Sequence, residues 1–190
     1  MDGVTTAPWP DHLLSLTEWD TLTDDPGRRY ELIEGVLLVV PRPAPLPQRV
    51  MVRLAAELDR QLPDTLTALA DVEVVIDAVH PATVRVPDVV VVPTRVAERN
   101  PPRLDSADVL LAVEIISPGT RRTDRVTKST EYADAGIAAY WLVDLDPPTT
   151  LTAYTLVDGE YEIAAEGTAD LTLLSPAEVQ IRVDRLTARR

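Results

Sequence analysis

Apolar residues at Val50, Leu54, Leu58 and Leu62 fall on one helical stripe and predict an amphipathic helix over Gln48 to Leu62. Thr17-Glu-Trp-Asp-Thr-Leu has the pattern of a short N-capped helix. Tyr30 to Val40 (YELIEGVLLVV) is rich in strand-forming residues, with Gly35 as a hairpin turn or bulge. Val72 to Ala78 and Val84 to Val92 read as two strands separated by a loop that contains His80 and Pro81. Asp108 to Ser117 (DVLLAVEIIS) is almost continuously apolar, as expected of a strand buried on both faces, and Pro118 and Gly119 end it. Arg122 to Ala135 then predicts a helix stopped by Gly136, and Ala138 to Asp144 the next buried strand. Asp158-Gly159 marks a hairpin turn, and a closing strand falls near Val179 to Val183. Proline groups at Pro41, Pro43, Pro45 and Pro47, at Pro101 and Pro102, and at Pro147 and Pro148 predict loops, since proline lacks the ladder donor.

The strand–helix–strand unit from Asp108 to Asp144 implies a parallel strand pair inside a mixed sheet, hence an α/β or α+β class. With 190 residues, the chain is long enough for one well-buried core and short for two, so a single domain over 1–190 is expected, with 1–16 as an N-terminal arm. No apolar run approaches the roughly 20 residues that cross a bilayer. The acids near the N-terminus stand where a secretory leader carries basic residues, so a cytoplasmic protein away from the membrane is expected.

Composition narrows the chemistry. There are no cysteines, which excludes disulfides, thiolate zinc sites and Cys nucleophiles. The two histidines, His12 and His80, lie far apart and in no motif, so both read as surface residues. A metal site must therefore be built from carboxylates, which favours Mg²⁺ or Mn²⁺ over Zn²⁺. The formal charge of −13 opposes a polyanionic partner unless positive charge is concentrated locally. Of the 18 Lys and Arg residues, only Lys128 is lysine.

Two acids interrupt apolar strands: Asp88 in VRVPDVVVVP and Glu114 in LLAVEIIS. A lone charge there is expensive unless it is paired or used. If the two converge, they form a hard-oxygen site for a divalent cation. The following helix brings Asp124, Lys128 and Glu131 or Tyr132 to one face, and the lysine is placed to stabilise a phosphoryl transition state. Each residue also has a plain structural alternative. Asp88 can cap a turn after Pro87, Glu114 can pair with an arginine, and Asp124 with Lys128 can be an exposed i,i+4 pair.

These segments resemble a known family. YELIEG, VRVPDVVVVP, LAVEIISPGTRRTDRVTKSTEYADAGIAAYWLVD and VDGEYE are similar to the Uma-two family of restriction-endonuclease-like proteins, over about Trp19 to Leu186. The resemblance implies the PD-(D/E)XK nuclease superfamily: a restriction-endonuclease-like mixed central sheet flanked by helices, Mg²⁺ or Mn²⁺ as cofactor, DNA as substrate, and a homodimer. Pro87-Asp88 matches the PD and Glu114 the second acid. The superfamily lysine usually stands two residues further on, where this chain has Ile116; Lys128 from the next helix fits the role instead. Glu31 in YELIEG matches a recurring family acid, either a third metal-shell carboxylate or a strand residue paired with an arginine. Tyr132 and Trp141 match family positions and read as packing residues. Pro47 stands where family members often carry histidine, which opens the alternative of a catalytically impaired relative acting as a dimeric binding or regulatory module. Arg121, Arg122 and Arg125 are candidate phosphate contacts, or else a solvated helix face. No base-reading motif, stacking aromatics or added DNA-binding domain is evident.

Overall fold

A computed structural model of the protein describes residues 10–22, 29–40, 43–116 and 122–188, with side chains from 126 onward in the helix that starts at 122. In chain order the elements are α1 (Leu16–Thr21), β1 (Arg29–Ile33), β2 (Val36–Val40), α2 (Pro45–Gln61), β3 (Leu66–Ala70), β4 (Val74–Asp77), β5 (Thr83–Arg85), β6 (Val89–Pro93), α3 (Thr94–Ala97), β7 (Leu104–Asp105), β8 (Leu111–Ile116), α4 (Arg122–Asp134), β9 (Ala139–Asp144), β10 (Thr150–Val157), β11 (Glu160–Gly167), β12 (Asp170–Leu173), β13 (Val179–Arg182) and α5 (Val183–Thr187). They form two compact units, one from 1–42 and 75–85, the other from 43–74 and 86–190.

In the first unit the strand order is β2-β1-β5-β4. β1 and β2 make the expected hairpin, with Ile33 opposite Val36. The intervening Glu34 and Gly35 have φ of 46° and 76°, the left-handed pair that a two-residue turn between twisted strands requires. A side chain at Gly35 would also collide, since its Cβ would lie 2.8 Å from Leu13 Cβ and 2.9 Å from the Leu14 nitrogen. α1 starts at Leu16, one residue ahead of the expected Thr17. Ser15 is the cap: its Oγ accepts from the Glu18 N–H, while the Glu18 carboxylate accepts from the Ser15 N–H at 2.8 Å, a reciprocal capping box. Leu14, Trp19, Leu32, Val75, Ala82 and Val84 form the core of this unit. Leu14 is thus not part of a loose arm: it is 2% exposed and its N–H donates to Gly35 O at 2.7 Å. The rest of the expected arm, residues 1–9, lies outside the described residues.

The second unit is built on a six-stranded sheet in the order β11-β10-β9-β8-β6-β3. β8 and β9 are parallel, as the strand–helix–strand pattern predicts, and the other neighbours are antiparallel. α2 packs Val50, Leu54 and Leu58, all fully buried, into one core with Val89, Val91, Leu111, Val113 and Trp141. β12 and β13 form a separate two-stranded sheet.

Three expectations change. The run Val84 to Val92 is not one strand: it breaks at Val86-Pro87-Asp88, and β5 and β6 belong to different units. Pro87 has no N–H to give a ladder, so the strand pattern cannot run through it. α2 begins at Pro45, not Gln48, with Ala44 as cap. Pro45 and Pro47 sit in the first turn, where the missing N–H would have had no intrahelical acceptor. β3 occupies a stretch left without an element, and its LTALA composition carries only a weak strand signal.

Candidate functional site

Asp88, Glu114 and Lys128 come together at one end of the six-stranded sheet. β6 and β8 are antiparallel, with Val89 opposite Val113, so Asp88 and Glu114 each lie one residue past that pair, at the same end. The Asp88 Oδ2 accepts from the Ile115 N–H at 2.7 Å, which anchors it to the residue following Glu114. The Asp88 N–H donates to Val113 O, and its own carbonyl accepts from the Asp71 N–H. Just past the break at Pro87, Asp88 is thus held by its main chain on both sides and turns its carboxylate toward β8.

Glu114 projects from β8 toward α4. Lys128 Nζ donates to both of its oxygens at 3.0 Å, and the Tyr132 hydroxyl donates to Oε1 at 2.7 Å. Lys128 and Tyr132 are one helical turn apart, so a single face of α4 presents both donors. The Lys128 and Glu114 side chains are 15% and 12% exposed. They are enclosed enough to interact strongly and open enough to be reached from solvent. Tyr132 is fully buried as its packing role required, but its hydroxyl also serves the acid. Its place at i+4 from the lysine was the available signal.

The other candidates lie elsewhere. Glu31 Oε2 accepts from Arg85 Nη1 at 2.9 Å, with the side chains only 3% and 4% exposed. Of the two readings open for Glu31, the geometry shows the arginine-paired one. Arg121 lies outside the described residues; Arg122 and Arg125 lie in α4, their side chains outside the described set. Among the described residues no group of three or more His, Asp or Glu side chains is gathered as a metal cage.

Four tyrosines absent from the sequence expectation of stacking also meet here. Tyr132 lies 5.8 Å from Tyr140 between ring centroids, and Tyr140 stacks on Tyr154 at 5.7 Å and 23°. Tyr161 lies 5.5 Å from Tyr140. They come from four elements and become neighbours only through strand pairing, so no local spacing marks them.

A mixed central sheet flanked by helices is a restriction-endonuclease-like fold. A solved structure of a putative nuclease belonging to DUF820 from Anabaena variabilis has this fold, with a TM-score of 0.70 over 92% of this chain and 97% of that one, at 21% identity. Residues 13–185 match the family model Uma2, described as "Putative restriction endonuclease", and the chain belongs to that family. No curated protein matches the chain. No helix among the described residues is long and apolar enough to cross a membrane.

Proposed function

We propose that the chain is a divalent-metal-dependent endonuclease that hydrolyses DNA phosphodiester bonds, acting in the cytoplasm as a homodimer of one-domain subunits. The observation that carries this reading is the meeting of Asp88, Glu114 and Lys128 at one sheet end. The donor set fits a hard cation. Two carboxylates from adjacent strands are held in place by main-chain and phenol donors, and Mg²⁺ characteristically takes one or two carboxylates and completes its shell with water and phosphate oxygens. Mg²⁺ or Mn²⁺ bound there would supply phosphate polarisation and a more acidic attacking water. In this proposal Asp88 and Glu114 hold the ion. Tyr132 orients Glu114 through Oε1. Lys128, at 3.0 Å from the Glu114 oxygens, neutralises the acid pair and then presents its ammonium to the water or the developing phosphorane charge. Arg121, Arg122 and Arg125 are assigned to phosphate contacts, a local counterweight to the charge of −13. Glu31 is given no metal role, because Arg85 balances it.

The test is cleavage of supercoiled plasmid and of single-stranded DNA with Mg²⁺ or Mn²⁺. Activity with the parent protein and its loss in both Asp88→Ala and Lys128→Ala are expected; activity retained in either variant overturns the assignment. One observation favours a second reading, a non-catalytic dimeric binding or regulatory module: Pro47, at the position where the family often carries histidine, is buried in the first turn of α2. That reading expects no rise in melting temperature with either metal, since only a ligand of the native state stabilises it.

A further inference from the structure

A cleft of about 620 Å³ runs between α4 and the β10–β11 hairpin in the second unit. It lies within the size range of small-molecule sites. Tyr140, Tyr154 and Tyr161 form its aromatic wall, and α4 forms the opposite one. Three of the lining hydroxyls are already committed, while that of Tyr154 keeps its proton to give. Ser129 Oγ and Thr130 Oγ1 both donate back to Val126 O at 3.0 Å, and the Tyr161 hydroxyl donates to Ile137 O at 2.7 Å. Each hydroxyl has a single proton to give, so these three donors are spent on the main chain, and what they keep is acceptor oxygens. Burial pushes the Tyr161 phenol up from its ordinary value, so that donor stays in place at neutral pH. The two charged residues in the lining are Asp134 and Glu160, both exposed and both acidic, and among the described residues no Lys, Arg or His lines the cleft.

The described lining presents ring faces, acceptor oxygens and two carboxylates. It suits an occupant that brings its own protons and positive charge, which aromatic faces also attract. We propose that this cleft is a binding site for a small organic cation, a primary ammonium attached to an apolar or aromatic body. The body packs against Tyr154 and Tyr161, and the ammonium lies toward Asp134 and Glu160. The site is distinct from the carboxylate pair on β6 and β8 and does not depend on the nuclease reading.

The experiment titrates the full chain with benzylammonium, and in parallel with its uncharged isostere benzyl alcohol and with adenosine, following melting temperature and calorimetric heat. Saturable binding of benzylammonium is expected, with benzyl alcohol and adenosine weaker. Glu160→Gln weakens benzylammonium binding about two- to five-fold, the scale of one exposed ion pair. Tyr154→Leu does so by a similar factor, about two- to five-fold for one cation–π face. Asp88→Asn leaves the binding unchanged, which separates this cleft from the acid pair. Because Glu160 is exposed, Glu160→Lys tests the charge requirement without touching the core and weakens binding further than Glu160→Gln does. Absence of saturable binding, equal or tighter binding of adenosine or benzyl alcohol, or binding by Glu160→Lys as tight as by the parent protein overturns the proposal.

Discussion

Replacing Lys128 by methionine separates its observed role as counter-charge to Glu114 from the catalytic role proposed for it. The ammonium lies 3.0 Å from both oxygens of Glu114, with the two side chains 15% and 12% exposed. Exposed ion pairs contribute about 0–1 kcal/mol, while stripping one partner from a fully buried pair costs about 3–5 kcal/mol. The partly enclosed geometry falls between them, so about 2 kcal/mol of lost stability is expected for Lys128→Met. For a chain of 190 residues that corresponds to a melting temperature lower by about 4–8 °C. Methionine keeps most of the apolar stem, so the loss reports charge and hydrogen bonding more than packing. Without metal, Lys128 is the cation that occupies Glu114, and a divalent ion must share the carboxylate with it. In Lys128→Met that competition is gone. Mg²⁺ should therefore raise the melting temperature of the variant more than that of the parent protein, even though plasmid cleavage is abolished. Differential scanning fluorimetry across a Mg²⁺ titration, with cleavage measured on the same samples, reads both quantities. A Mg²⁺-induced rise equal to or smaller than the parent's would refute the claim that ammonium and metal share one acid. An unshifted melting temperature without metal would refute the energetic argument for the pair.

Three other outcomes follow from the same coordinates. Glu31→Gln leaves the guanidinium of Arg85, 4% exposed, without the opposite charge it meets at 2.9 Å. Urea unfolding should show a loss of about 3–5 kcal/mol, most of it recovered in the double variant Glu31→Leu with Arg85→Met; a single variant near parent stability sinks the structural role given to Glu31. Tyr132→Phe keeps the buried ring and removes the 2.7 Å bond to Glu114; about 1.5–3 kcal/mol should be lost, the worth of a hydrogen bond to a charged group, with the metal-induced rise in melting temperature reduced. Glu18 is held at about 2, below its ordinary 4.5, chiefly by the hydrogen bonds from Ser15, with His12 adding to them. Because the folded value is the lower one, the stabilisation is complete above pH 4.5 and disappears as pH falls toward 2. The melting-temperature gap between the parent and Glu18→Gln should close across that window, and a gap that stays constant contradicts the capping role.

Much of this protein is written in local pattern. The stripe Val50, Leu54 and Leu58 specifies a helix whichever way the chain folds, because those positions share a face at the helical period. The aliphatic run around Glu114 specifies a strand for the same kind of reason, and an acid inside it marks a place where charge must be used. Chemistry could be read from residue type alone as well: a chain without cysteine and with a single lysine leaves few ways to build a metal-assisted hydrolytic centre. What local pattern does not contain is distance between segments remote in sequence. Only the antiparallel register of β6 and β8 brings Asp88 to the same sheet end as Glu114. Only the packing of α4 places Lys128 and Tyr132 on its carboxylate, and only strand pairing turns four scattered tyrosines into one cluster. Of the two readings open for Glu31, as a metal ligand or as the partner of an arginine, tertiary structure supplies the contact with Arg85 at 2.9 Å. Both readings satisfy the cost of burying a carboxylate, and sequence cannot tell which cation relieves it.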